Sequence, residues 1–215
     1  MIICSNNNLN ENSIKYFECF NTSEEFVTVM ELCDCNLQQL LNSKKLAFNI
    51  EEIKEILSQL NNTFKIMAQH KIIHRDLKLL NILVKFKNKE KTKFIVKLTD
   101  YGESKQLISL TRKCRTHAGT ILTMAPEILN EEEYDSKCDL WSLGVIIYQL
   151  AFKQYPYNAQ TEIGLIKQIY KNKQALFKKT NNKELDNLIR KLLEKDPMKR
   201  LSWNQYFNDP FFKSL

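Results

Sequence analysis

A mostly helical α+β chain, folded as a single domain, is what these 215 residues predict, and three patterns carry that expectation. Apolar residues recur at spacings of three and four along Ile53, Ile56, Leu57, Leu60, Phe64 and Met67, and again along Leu185, Leu188, Ile189, Leu192 and Leu193, the period of amphipathic helices. Near the N-terminus two runs rich in aromatic and β-branched residues, Ile14 to Phe20 and Phe26 to Glu31, flank the polar turn Asn21 to Glu25 as a hairpin does. With 43% apolar residues the chain can bury a sizeable core, yet no run approaches the roughly twenty apolar residues of a membrane-spanning helix.

In chain order, residues 1–12 form a polar lead whose Asn-rich part, Asn6 to Asn12, is expected as loop. The hairpin follows, and Leu37 to Leu41 then start a short helix. Asn49 caps a longer one, with Glu51, Glu52 and Glu55 in the first two turns where the helix dipole favours carboxylates. Ile82 to Phe86 reads as a strand, Lys87 to Lys93 as an exposed basic turn, and Phe94 to Leu98 as the return strand. Asp139 to Leu150 is too apolar for a surface helix and belongs at the centre of the body. Thr161 to Tyr170 is amphipathic, Asp196-Pro197 ends the helix built on Leu185, and Ser202 starts the last one.

The formal charge of +7 is spread along the chain, with short basic runs at Lys85 to Lys93 and Lys171 to Lys179. Each run holds one phenylalanine, Phe86 and Phe177, which is no series of rings to stack successive bases, so the runs read as solvated faces and no nucleic-acid partner is expected. Cysteines 4, 19, 33, 35, 114 and 138 include no Cys-x-x-Cys pair, which points to reduced thiols. Met1 to Asn6 lacks the basic-then-apolar layout of a signal peptide, so the expected location is the cytoplasm or nucleus, with no membrane partner.

The chemistry concentrates in His74-Arg75-Asp76-Leu77-Lys78-Leu79-Leu80-Asn81, which puts a carboxylate, an ammonium and an amide in one short loop between apolar segments. A carboxylate at Asp76 can orient a hydroxyl and take its proton, Lys78 can neutralise charge on a moving phosphoryl group, and Asn81 can offer an oxygen to Mg²⁺. Asp100-Tyr101-Gly102, Ala125-Pro126-Glu127, Asp139-Leu140-Trp141-Ser142-Leu143-Gly144, and Asp196-Pro197 with Arg200 then follow in order. This ordered set resembles the eukaryotic protein kinases of serine/threonine type, over roughly Ser13 to Phe212.

That resemblance implies a kinase-like C-terminal lobe over 35–215 preceded, at 13–34, by a two-strand remnant of the N-terminal lobe and the hinge. ATP and Mg²⁺ are the implied cofactors, and a protein carrying serine or threonine the implied substrate. Asp76 would be the base, Lys78 its electrostatic partner, Thr120 a hydrogen-bond partner of both, and Asn81 and Asp100 the metal ligands. At the hinge, Glu31 and Cys33 would give main-chain groups to adenine, Met30 would guard the pocket behind, and Leu83 would form its floor. Glu127 would pair with Arg200, and Asp139 would hold the catalytic-loop backbone. Glu103 to Met124 would be the activation loop, switched by phosphorylation of Thr116 against Arg75 and Lys105.

Several positions depart from the family pattern. No counterpart of the Gly-rich loop, strand lysine or partner-helix glutamate is found in the sequence, so an N-lobe-supplying or chaperone partner is expected to cover apolar surface around Val27, Val29 and Leu83. Tyr101 replaces the usual Phe and brings a hydroxyl that needs a partner. Leu79 and Leu80 stand where Pro and a substrate-binding Glu are common, and Asp209 where His is. Two readings stay open: a serine/threonine kinase lacking most of its N-terminal lobe here, and a non-catalytic, pseudokinase-like protein-binding module.

Overall fold

The structure, a computed structural model, describes residues 10–23, 25–106, 120–171 and 177–213. Strands β1 (Tyr16–Asn21) and β2 (Phe26–Met30) form the antiparallel hairpin, with Asn21 opposite Phe26 and an irregularity between Tyr16 and Glu18. A two-residue β3 (Cys35–Asn36) leads into α1 (Leu37–Ser43) and the long α2 (Ile50–Gln69). Strands β5 (Ile82–Phe86) and β6 (Phe94–Leu98) pair with each other, and β3 pairs with β5, in a three-stranded sheet. The short β4 (Ile72–Ile73) and β7 (Lys105–Gln106) form a separate pair. The remaining helices are α3 (Pro126–Leu129), α4 (Lys137–Phe152), α5 (Glu162–Lys171), α6 (Lys183–Leu192) and α7 (Trp203–Phe207).

Local chemistry sets the helix starts. Asn36 with Gln39, Asn49 with Glu52 and Ser202 with Gln205 each form a reciprocal capping box, satisfying backbone donors that a helix start leaves open. The apolar stripe of α2 is buried from Ile53 to Met67, as its period predicts. Every residue of α4 from Cys138 to Leu150 is buried, so this helix is the axis of the core.

Helix α6 crosses α4 at Gly144, where an added Cβ would stand 2.9 Å from Leu192 Cβ and 3.0 Å from the Leu193 side chain. Gly144→Ala is therefore expected to destabilise the fold by about 1–3 kcal/mol through overpacking, measurable as a lower urea midpoint with an unchanged slope.

Three sequence expectations need correction or extension. Helix α6 ends at Leu192, ahead of Asp196-Pro197, and beyond it the carbonyls of Glu194 and Lys195 accept from the Arg200 guanidinium. β3, β4, β7 and α3 are too short to show a period and are not among the expected elements. Residues 10–14 are turn and loop as expected but are no free lead, since Asn12 is 1% exposed. Its amide donates to the Val96 carbonyl and Gln59, accepts from Asn62, and its carbonyl accepts from Thr63 Oγ1. Ser13 bridges Leu98 in parallel, so this segment extends the sheet at the free edge of β6.

The hairpin makes few burying contacts of its own. Phe17 and Phe26 are 66% and 69% exposed, and Phe20, Val29 and Met30 are exposed as well, a wider apolar surface than Val27, Val29 and the half-buried Leu83. Among the described residues no helix is long and apolar enough to cross a membrane. Cys19, Cys33, Cys35 and Cys138 are free thiols.

Candidate active site

Strand β4 delivers the chain to residues 74–81, and the buried Leu77 and Leu79 pin that loop into the core. Arg75 adopts a left-handed backbone, φ 71°, which a non-glycine residue holds only where its surroundings over-determine it. Asp139, at the start of α4, supplies the restraint: its two carboxylate oxygens accept from the His74 and Arg75 backbone N–H groups at 2.8 and 2.9 Å. The His74 ring is buried, its Nε2 3.0 Å from the Thr99 carbonyl oxygen. Asp100, the next residue, is also left-handed at φ 64°.

Asp76 is the hub of the polar groups. Its Oδ2 accepts from Lys78 Nζ at 2.6 Å and from Asn81 Nδ2 at 3.0 Å, while its Oδ1 accepts from the Thr120 backbone N–H at 3.0 Å and the Thr120 hydroxyl at 3.1 Å. Lys78 Nζ also donates to Thr120 Oγ1 at 2.9 Å, closing a triangle. Asn81 Nδ2 further donates to the Asp76 carbonyl and to Asp100 Oδ2 at 3.2 Å. Burial pushes the Asp76 carboxyl up, but the hydrogen bond and charge of Lys78, with the bonds from Thr120 and Asn81, outweigh it and hold the group below its ordinary range. The carboxylate is thus ionised at neutral pH and aimed by four donors.

Behind the loop, Tyr101 packs on His74 with ring centroids 5.2 Å apart, and its hydroxyl finds the partner it needs in Ser13 Oγ at 3.0 Å. Arg75 is engaged already: Nε donates to the Glu103 carbonyl, Nη1 to the Tyr134 hydroxyl at 3.4 Å, and Nη2 lies 3.9 Å from the Glu103 carboxylate. Lys105 is an exposed residue of β7, and Thr116 lies outside the described residues. Glu127 and Arg200 form a buried bidentate pair at 2.6 and 2.8 Å.

The structure thus brings Asp76, Lys78, Asn81, Asp100 and Thr120 together, with Asp139 beneath them. Met30, Glu31 and Cys33 lie where the hairpin meets the body, and Leu83 is opposite Lys97 on the neighbouring strand. There the Glu31 side chain does something unforeseen, contacting Lys85 Nζ at 2.7 Å and Lys97 Nζ at 3.1 Å. Sequence reasoning also missed Ser13, Thr99, Lys97 and Glu103. None belongs to a local motif, and the Ser13–Tyr101 contact joins residues 88 positions apart.

His74 and Asp139 make opposed contributions to stability with pH. Burial lowers the His74 imidazole to about 4, so the native state excludes a proton that the unfolded chain binds, and stability rises as pH goes from about 4 to 6.5. Burial raises the Asp139 carboxyl to about 6 against its two backbone donors, so the native state keeps a proton longer, and stability falls as pH rises from about 4 to 6. Each is worth about 3 kcal/mol and they nearly cancel. Asp139→Asn is therefore expected to gain about 3 kcal/mol of upward slope over that window relative to the wild type, read by urea unfolding at a series of pH values. Parallel curves would contradict it.

A family model described as protein kinase domain matches residues 2–212. The chain belongs to the protein kinase family. It is 33% identical over 203 residues to the serine/threonine-protein kinase TIO of Arabidopsis thaliana, covering 94% of this chain and 15% of that protein. A putative serine/threonine-protein kinase of Acanthamoeba polyphaga mimivirus is 32% identical, over 94% of this chain and 49% of its own length. The serine/threonine-protein kinase fused of Drosophila melanogaster is 33% identical, over 92% of this chain and 24% of its own length. The chain thus spans half or less of each of these relatives.

The family generally uses ATP and Mg²⁺. Among the described residues no cluster of three His, Cys, Asp or Glu forms a closed metal cage. Mg²⁺ asks for less: one or two hard oxygen donors suffice when the nucleotide phosphates complete the shell. The exposed Asp100 carboxylate offers one, and Asn81, whose amide nitrogen is committed to Asp76 and Asp100, has its amide oxygen left for a second. The donor set fits the ion.

Proposed function

We propose that this chain carries the phosphoryl-transfer site of a serine/threonine protein kinase, moving the γ-phosphoryl group of ATP to a serine or threonine hydroxyl of a protein. The observation that carries this reading is the single hydrogen-bonded cluster of Asp76, Lys78 and Thr120, continued through Asn81 to Asp100. Asp76, held ionised, orients the acceptor hydroxyl and receives its proton, and the Thr120 hydroxyl at Oδ1 occupies the kind of position a substrate hydroxyl would take. Lys78, donating to both, offsets negative charge that grows on the transferred group. Asn81 and Asp100 would hold Mg²⁺, which supplies charge neutralisation to the phosphates. Main-chain groups of Glu31 and Cys33, with Leu83 below, would seat adenine, and Met30 would close the pocket behind it. In this reading residues 13–34 are hairpin and hinge, and 35–215 the C-terminal lobe. The reduced thiols support work in the cytoplasm or nucleus.

A second reading, a non-catalytic protein-binding module, is favoured by the exposed aromatic surface of the hairpin, which an N-lobe-supplying or chaperone partner would cover. Because the chain alone is expected to be weak or inactive without an N-terminal lobe, transfer from labelled Mg-ATP to peptide mixtures by the chain with an N-terminal lobe supplied, followed by phosphoamino-acid analysis, separates the two. Phosphoserine or phosphothreonine without phosphotyrosine, abolished by Asp100→Ala, is the expected result. Transfer surviving in Asp100→Ala, or absent at millimolar Mg-ATP, favours the second reading. By calorimetry, residues 1–215 alone should bind Mg-ATP more weakly than micromolar, because no strand lysine or Gly-rich loop of this sequence cradles the phosphates.

A further inference from the structure

We propose that Lys97 is a positioning residue for the hinge: one buried ammonium that fastens both chain segments joining the β1–β2 hairpin to the body. Those segments are residues 10–15, where the chain enters the hairpin, and 31–36, where it leaves. Lys97, on β6, is 3% exposed. Its Nζ donates to the Glu11 main-chain carbonyl at 2.6 Å on the entering segment and stands 3.1 Å from Glu31 Oε2 on the leaving one. The second contact is an ion pair without hydrogen-bond alignment, since Glu31 Oε2 has no directional partner, while Oε1 accepts from Lys85 Nζ.

A lysine is almost never buried without anionic company, which here comes from Glu31 on the leaving segment, while the entering segment adds the Glu11 carbonyl. The entering and leaving segments also touch directly, the Glu31 N–H donating to the Lys15 carbonyl at 2.8 Å, so Lys97 braces a junction where backbone pairing is sparse. The two lysines act differently. Lys85 is 45% exposed at its side chain and half in water, whereas Lys97 is 4% exposed and faces Glu31 across an interior contact. Lys97 is also the cross-strand partner of Leu83. By pinning the Glu31 side chain it fixes the direction of the Glu31 main chain, the group that the kinase reading assigns to adenine. This last step rests on that reading, but the brace itself does not.

Cys33, two residues beyond Glu31, reports on the junction, with exposed Cys19 and buried Cys138 as internal standards. In Lys97→Met, maleimide labelling of Cys33, mapped by mass spectrometry, should accelerate about tenfold while Cys138 stays protected, and amide hydrogen exchange of Tyr16–Met30 should accelerate by a similar factor with α2 and α4 unchanged. Burial, with the Glu31 carboxylate, pushes the Cys33 thiol up and the Lys97 charge opposes that rise, so removing the charge would by itself slow labelling, and acceleration points to opening. Lys97→Arg, which keeps the charge, should return Cys33 to within about threefold of the wild type. Glu31→Gln, followed by hydrogen exchange alone, should loosen the same hairpin and serves if Lys97→Met does not fold. Unchanged exchange of the hairpin in the folded variants overturns the proposal, and so does joint exposure of Cys33 and Cys138, which would make Lys97 a general core residue. None of these measurements uses nucleotide. In a polypeptide that turns over, Lys97→Arg against Lys97→Met should show KM for ATP about tenfold higher in the latter with kcat within about twofold. Failure of the wild type to use ATP, with the brace intact, counts against the kinase reading alone.

Discussion

Arg200→Met is expected to destabilise the chain by about 3–5 kcal/mol, because it strands the buried Glu127 carboxylate without its counter-charge. The fully buried guanidinium donates to both Glu127 oxygens and to the carbonyls of Lys137, Glu194 and Lys195, with its Cζ 5.2 Å from the Trp141 ring centroid. Each of those acceptors would lose a donor at once. The double variant Arg200→Met/Glu127→Leu should recover most of the loss, since an apolar pair of similar volume needs no desolvated charge. Equilibrium urea unfolding measures both. A loss in the single variant below about 1 kcal/mol would show that Glu127 finds a proton or water at little cost. The pair binds the segment after Thr120 to the base of the lobe, so its failure would also be felt at the site.

Asp76→Asn should lower kcat by roughly 10²–10⁴-fold in a polypeptide that turns over, leaving KM for ATP nearly unchanged. The substituted amide keeps the shape but not the charge around which Lys78 and Thr120 are arranged, and it has only one oxygen for the four donors that Asp76 now serves. Lys78→Ala should cost less by itself and little more on top of Asp76→Asn, because the two groups act as a unit. Rapid-quench measurement of the chemical step checks this. Additive losses would mean that Lys78 works on the phosphoryl group independently of Asp76.

What could be read in advance followed from range. The strands 82–86 and 94–98, the Asn49 cap and the buried stripe of α2 are written in residues a few positions apart, and there local chemistry decides. The kinase-like fold and family were legible because the motifs from His74 to Arg200 are local as well. Hidden were the contacts whose partners are far apart in the chain: Asn12 with Thr63 and Val96, Ser13 with Tyr101, and Lys97 with Glu11 and Glu31. The Asn-rich segment read as loop because nothing in it shows that the amides of Asn10 and Asn12 are engaged by α2 and β6. Arg75, assigned to a phosphate pocket by resemblance, also meets Glu103, a residue with no motif to mark it.

The seam between residues 10–14 and β6 has a consequence for how the protein is made. Lys97 and Glu11 are 86 positions apart, so at about 5–20 residues per second the ribosome takes roughly 4–17 s to supply the strand that the first segment docks on. Through that interval the hairpin, with Phe17, Phe20 and Phe26 on its surface, lacks the strand that anchors its entering segment, and a lone two-stranded ribbon is at best marginally stable. For a stretch of seconds the nascent hairpin therefore carries its aromatic surface without that anchor, and the yield of folded protein should depend on what shields it until β6 arrives.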